Sequence, residues 1–145
     1  MKKRFVLFTL LLLGTARFAV AADGWLTDFE KAKQESAARG VPILADFAGS
    51  DWCHWCMKLD QEVFSRPEFQ SYAATNLVLF LADFPNSKPQ TDALKQQNQM
   101  LAGLYGIQGY PTVLLLDKEG KVLGRTGYQA GGAAAYVKHI QSILK

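Results

Sequence analysis

The chain contains two cysteines, and both lie in the stretch Trp52-Cys53-His54-Trp55-Cys56. Two thiols separated by two residues can close a small ring, so the stretch can hold a disulfide or a dithiol. Disulfide exchange uses both: one thiolate attacks, and the second thiol resolves the mixed disulfide that forms. A purely structural bridge is the weaker reading, because so short a loop removes little entropy from the unfolded chain. Soft-metal binding is the rival chemistry. Cys53, His54 and Cys56, with Met57 beside them, suit Cu(I) or half of a zinc site. A structural zinc site takes about four ligands, and the other histidine, His139, is distant in sequence. No metal is therefore assigned.

These residues need a particular scaffold. Cys56, Leu59 and Val63 recur at helical spacing, which places Cys53 at a helix N-terminus. Free amides and the positive dipole end would favour its thiolate there. Cys56 falls on the same face one turn deeper. Cys53 is accordingly expected to be the exposed, attacking sulfur and Cys56 the buried, resolving one. A protonated His54 would favour the Cys53 thiolate, unless its ring simply faces solvent. Trp52 and Trp55 either shield the sulfurs and offer a substrate chain an apolar platform, or are ordinary packing.

The surrounding pattern alternates helices and strands. Thr27-Asp28-Phe29-Glu30 reads as a capping box that opens a helix to Arg39, stopped by Gly40. Pro42–Ala48 is an apolar run suited to a strand buried on both faces. A second box, Ser65-Arg66-Pro67-Glu68, starts a short helix over 69–74, and 77–83 is a second buried strand. Pro85–Pro89 is a polar loop. Thr91 caps a helix to about Tyr105, with Leu94, Leu101, Leu104 and Tyr105 facing inward. Residues 113–117 and 121–126 form a hairpin around Lys118-Glu119-Gly120. After Gly131-Gly132, a final helix presents Tyr136, Val137, Ile140, Ile143 and Leu144 on its apolar side. Parallel crossovers followed by an antiparallel hairpin predict an α/β fold with a mixed central sheet flanked by helices.

The N-terminal residues have the layout of an export signal. Lys2, Lys3 and Arg4 precede the apolar stretch Phe5–Leu13, and Ala19-Val20-Ala21 supplies small residues before a cleavage site after Ala21. The apolar stretch is short for a bilayer span of about 20 residues, and Arg17 interrupts its far end. The expected organisation is thus a signal peptide at 1–21, one domain at 22–145, periplasmic location, and no membrane anchor after cleavage. The 145 residues carry a formal charge of +3, but the leader holds four basic residues and no acidic one, which leaves the remainder at −1. The basicity belongs to targeting and gives no case for nucleic-acid binding.

Three elements in order carry a family resemblance: Ile43-Leu44-Ala45-Asp46-Phe47, Trp52-Cys53-x-x-Cys56, and Gly109-Tyr110-Pro111-Thr112. Together they resemble thioredoxin-fold thiol:disulfide oxidoreductases. The passage from Cys56 to Gln70 is most similar to the C-terminal periplasmic domain of the transmembrane thiol:disulfide interchange proteins and to small secreted thioredoxin-like proteins. The resemblance implies a redox-active Cys53–Cys56 disulfide and no cofactor. It implies a cis bond before Pro111, which packs against the disulfide, and a Tyr110 backbone that meets an extended substrate. It makes Asp46 the buried acid that takes a proton from Cys56; burial among Ile43, Leu44 and Phe47 should raise its pKa. A hydrogen-bonded structural Asp is the alternative. Protein thiols and disulfides are the implied partners, together with a membrane electron donor if the protein works as a reductase or relay. The chain departs from typical thioredoxins in a longer Gly49-Ser50-Asp51 loop and in a His-Trp dipeptide between the cysteines. That dipeptide helps set the potential, so the direction of exchange stays open, with a lean toward reduction.

Overall fold

The computed structural model describes residues 24–145; the leader and the expected cleavage site lie outside the described residues. The elements are β1 (Trp25–Leu26), α1 (Phe29–Arg39), β2 (Ile43–Ala48), α2 (His54–Leu59), a π-helical turn (Asp60–Phe64), α3 (Pro67–Asn76), β3 (Val78–Asp83), α4 (Asp92–Leu104), β4 (Thr112–Leu116), β5 (Val122–Thr126) and α5 (Gly132–Ile143). The five strands form one mixed sheet in the order β1-β3-β2-β4-β5. β3 runs parallel to both β1 and β2, whereas β4 is antiparallel to β2 and to β5.

The alternation of side chains along β2 decides where the chemistry sits. Ile43, Ala45 and Phe47 face a core shared with Phe29, Phe80, Leu101, Leu114 and Leu116. Leu44 points the other way, into a core with Leu59, Val63, Phe64, Phe69, Leu115, Tyr136 and Ile140. Every residue of β2 is buried, as expected of a strand covered on both faces. Each fully buried Leu, Ile or Phe contributes about 1.5–3 kcal/mol, so the register is strongly held. Period two then places Asp46 and Ala48 on the side of Leu44, beneath the cysteine helix. Asp46 is the charged exception in an apolar layer.

Several local expectations are corrected. The N-cap of α1 is Asp28, whose carboxylate accepts from the Lys31 amide at 3.1 Å; the Thr27 carbonyl is taken by Gln97 instead. The N-cap of α3 is Arg66, without a side-chain bond, because the Ser65 hydroxyl donates to Asp60 across the π turn. Pro67 starts that helix at no cost in hydrogen bonding, since a first-turn amide has no intrahelical acceptor. On α4, Leu101 is buried but Leu104 is 70% exposed. The buried stripe runs instead through Asn98, whose amide donates to the Asp83 carbonyl at 2.9 Å. The two-residue strand β1 is too short to leave a periodic trace. By contrast, α1 ends at Gly40 in the left-handed conformation, φ 65°, as expected. Tyr136 and Ile140 are buried on α5, with Val137, Ile143 and Leu144 packed at the edge of the same core.

Candidate active site

β2 delivers the chain to the site and a turn reverses it. The Cys53 amide donates to the Gly49 carbonyl at 2.9 Å, which sets Cys53 as N-cap of α2 with extended backbone. Cys53 and Cys56 are disulfide-bonded, with their Cα atoms 5.3 Å apart. The Cys53 sulfur also accepts from the Cys56 amide at 3.2 Å, a bond between the helix's free N-terminal donors and that atom. Cys53 therefore occupies the expected helix terminus. The expected contrast in burial is corrected: Cys53 is 5% exposed and Cys56 is 6% exposed. Both pack in one small cluster with Ala48, Leu81 and Tyr110, elements distant in sequence that cover Cys53 as fully as Cys56.

Tyr110 packs against the cysteine pair and belongs to an aromatic cluster beside it. The Tyr110–Pro111 peptide bond is cis, and the Thr112 hydroxyl closes its turn by donating to the Gly109 carbonyl at 2.7 Å. The Tyr110 ring lies 5.8 Å from Trp52 and 5.1 Å from Phe84. Trp52 is fixed by its indole N–H, which donates to the Phe84 carbonyl at 2.8 Å. Trp55, half exposed, packs on Tyr128 at 5.0 Å and meets the exposed His54 ring at 5.5 Å. His54 therefore faces solvent, with the Trp55 ring beside it.

The inner side is acidic. Asp46 and Cys56 line one cleft of about 600 Å³, together with Ser50, Met57, Asp60 and Lys88. Asp46 is buried, and its Oδ1 has no hydrogen-bond partner. That argues against the structural alternative, since a buried carboxylate kept for stability is normally fully bonded. Burial, followed by the charges of Asp60 and Asp83, pushes the Asp46 pKa up to about 7. Such a group exchanges a proton near neutrality, as a general base for a thiol requires.

The longer loop before the cysteines is firmly tied. Ser50 donates from its amide and its hydroxyl to Asp83, at 2.9 and 2.6 Å. The Asp51 carboxylate accepts from the amides of Asn86, Ser87 and Lys88 at 2.7–2.9 Å. These bonds hold its pKa below the ordinary carboxylate value. Sequence reasoning left Asp51, Asp83, Phe84 and Tyr128 unassigned. Among the described residues, no group of three or more His, Cys, Asp or Glu is arranged to hold a metal ion.

The family model described as thioredoxin-like matches residues 24–118. The chain belongs to the thioredoxin-like family of thiol:disulfide oxidoreductases. It is 36% identical over 133 residues to the disulfide bond reductase DsbH of Chlamydia pneumoniae, a match that covers 92% of this chain and 80% of that protein. A solved structure of DsbH oxidoreductase superposes with a TM-score of 0.80 at 36% identity, covering 91% of this chain and 92% of that one. The thiol:disulfide interchange protein DsbD of Klebsiella pneumoniae is 32% identical over 107 residues, 72% of this chain. The chain spans only 16% of that relative's length, so the likeness concerns one part of a much larger protein.

Proposed function

We propose that this protein is a periplasmic thiol:disulfide oxidoreductase that reduces protein disulfides or relays electrons to them. The observation that carries the reading is the disulfide itself: Cys53 lies at a helix N-terminus, while Cys56 shares a cleft with a buried carboxylate whose Oδ1 has no hydrogen-bond partner. In the reduced protein the Cys53 thiolate attacks one sulfur of a substrate disulfide, forming a mixed disulfide and releasing the other sulfur as a thiolate. Asp46 takes the proton of Cys56. The Cys56 thiolate then attacks Cys53, so the substrate leaves with two electrons gained and the Cys53–Cys56 disulfide closes. Tyr110 and Pro111 offer the substrate backbone a docking edge, with Trp52 and Trp55 flanking its side chains. His54, next to Cys53 in the chain, serves to tune the potential.

Repeated turnover needs a dithiol donor, and a membrane electron carrier fits a protein working in an oxidising compartment. Support for export comes from the basic start, apolar stretch and Ala19-Val20-Ala21 of the leader, with cleavage after Ala21 leaving a domain from residue 22 to 145. Among the described residues no helix is long and apolar enough to cross a membrane. The reducing direction draws on the relative named as a disulfide bond reductase. The test is reduction of insulin disulfides with the potential measured alongside. A potential near about −120 mV, the oxidant's range, would overturn the reducing direction; one below about −200 mV supports it.

A further inference from the structure

Trp55 is half exposed beside the reactive bond, yet its indole is held on several sides. Tyr128 lies against it at 5.0 Å, and the Lys58 ammonium stands over both rings, 5.1 Å from Trp55 and 5.4 Å from Tyr128. The Tyr128 hydroxyl donates to Glu62 at 2.6 Å, and Lys58 faces the same carboxylate at 3.8 Å. Three elements thereby converge: the first turns of α2, the π turn, and the loop between β5 and α5. That loop is itself anchored. Tyr136 donates to the Gly127 carbonyl at 3.0 Å, and a Cβ on Gly127 would come within 3.1 Å of the Pro111 carbonyl oxygen. The absence of a side chain at 127 lets the loop run directly beside the Tyr110–Pro111 turn.

We propose that Tyr128, Trp55 and Lys58 form a specificity ledge that binds an apolar or aromatic side chain next to the substrate's cysteine, selecting polypeptide disulfides over small-molecule ones. This rests on the exchange reaction proposed above and deepens it. Lys58 and Glu62 offset each other's charge, so the ledge presents an aromatic face and no net charge. Because the rings are already fixed, binding a substrate side chain there does not cost the entropy of ordering them. A small disulfide reaches the sulfur without spanning the ledge. Tyr128 and Lys58 touch neither sulfur, so they act on binding and leave the chemical step alone.

The test measures dithiothreitol-driven reduction of insulin and of hydroxyethyl disulfide by the purified protein and its variants. Tyr128→Ala should raise KM for insulin roughly tenfold, the scale expected when one aromatic anchor is removed from an interface. Its kcat/KM on hydroxyethyl disulfide and its redox potential should stay within about twofold of the parent protein. Tyr128→Phe keeps the ring and should restore most of the insulin KM. Lys58→Met, which removes the charge over the rings and keeps an unbranched stem, should give a smaller rise in the same direction. Equal losses on both substrates would show that Tyr128 only supports the disulfide's surroundings and would overturn the ledge. So would an insulin KM unchanged in both Tyr128→Ala and Lys58→Met. A parent protein that reduced neither substrate would instead remove the exchange reaction, and the ledge with it.

Discussion

The disulfide divides two unlike regions. Outside it stand Trp52, Trp55, Tyr110, Phe84 and Tyr128, rings fixed by hydrogen bonds and by one another. Inside it lies a cleft with Asp46 and Asp60 in its wall and Asp83 bound to Ser50 nearby. Apolar rings in contact with solvent attract an incoming chain, whereas clustered carboxylates near a buried one hold a proton. The two cysteines are almost equally buried, so residue burial does not distinguish their roles. What distinguishes them is the region each one faces: Cys53 caps the helix under the aromatic face, and Cys56 opens onto the acid cleft. Recognition and proton transfer should therefore be separable by mutation.

The largest effect breaks both regions at once. Cys53→Ser should reduce insulin turnover to the uncatalysed level, since it removes the sulfur proposed to attack.

Next comes the acid cleft alone. Asp46→Asn should slow the resolving step roughly 100-fold at about pH 8 while leaving the insulin KM unchanged. In the parent protein that step should accelerate as pH rises through about 7, where Asp46 loses its proton; the variant should lack this limb. Stability should follow the same group. The native state holds the Asp46 proton more tightly than the unfolded chain does. Its contribution is fully present below about pH 4 and declines as pH rises from about 4 to about 7, by roughly 4 kcal/mol. Denaturant titration of oxidised Asp46→Asn across that range should show this slope removed. A slope that survived would separate Asp46 from the linkage.

The aromatic side gives smaller effects. Pro111→Thr should slow substrate release, seen as mixed disulfides accumulating on non-reducing gels, with the pH limb near 7 retained. Trp52→Phe removes the bond to the Phe84 carbonyl and should cost about 1 kcal/mol in stability, with a modest rise in KM and no change in the pH profile. A shifted pH profile in either aromatic variant would blur the division between the regions.

Much of this arrangement was legible in the sequence, for identifiable reasons. The Pro42–Ala48 run is uninterrupted and apolar, so β2 and its two-sided burial follow from composition, and Asp46 stands out as the one charge in it. The capping-box pattern points to Thr27, but Asp28 caps the helix through the Lys31 amide, and the Phe29 amide that a Thr27 cap could have bonded is taken by Gln97, a partner 68 residues away. Ser65 was diverted by the π turn, which inserts an irregularity that helical spacing does not reveal. The cover over Cys53 comes from Tyr110 and Leu81, and the partner of Trp55 is Tyr128; no local pattern links residues so far apart. Asp51 lay within the loop identified as longer than usual, but its three amide partners become visible only once the loop after β3 folds back on it.

In the proposed exchange Cys53 captures and Cys56 releases, although the two residues are almost equally buried. The direct measurement is mass-spectrometric mapping of mixed disulfides formed by Cys56→Ser and by Cys53→Ser with the same reducible protein substrate. A stable adduct is expected on Cys53 in the first variant and little adduct in the second. Adducts accumulating on Cys56 in Cys53→Ser, at equal or higher yield, would contradict it.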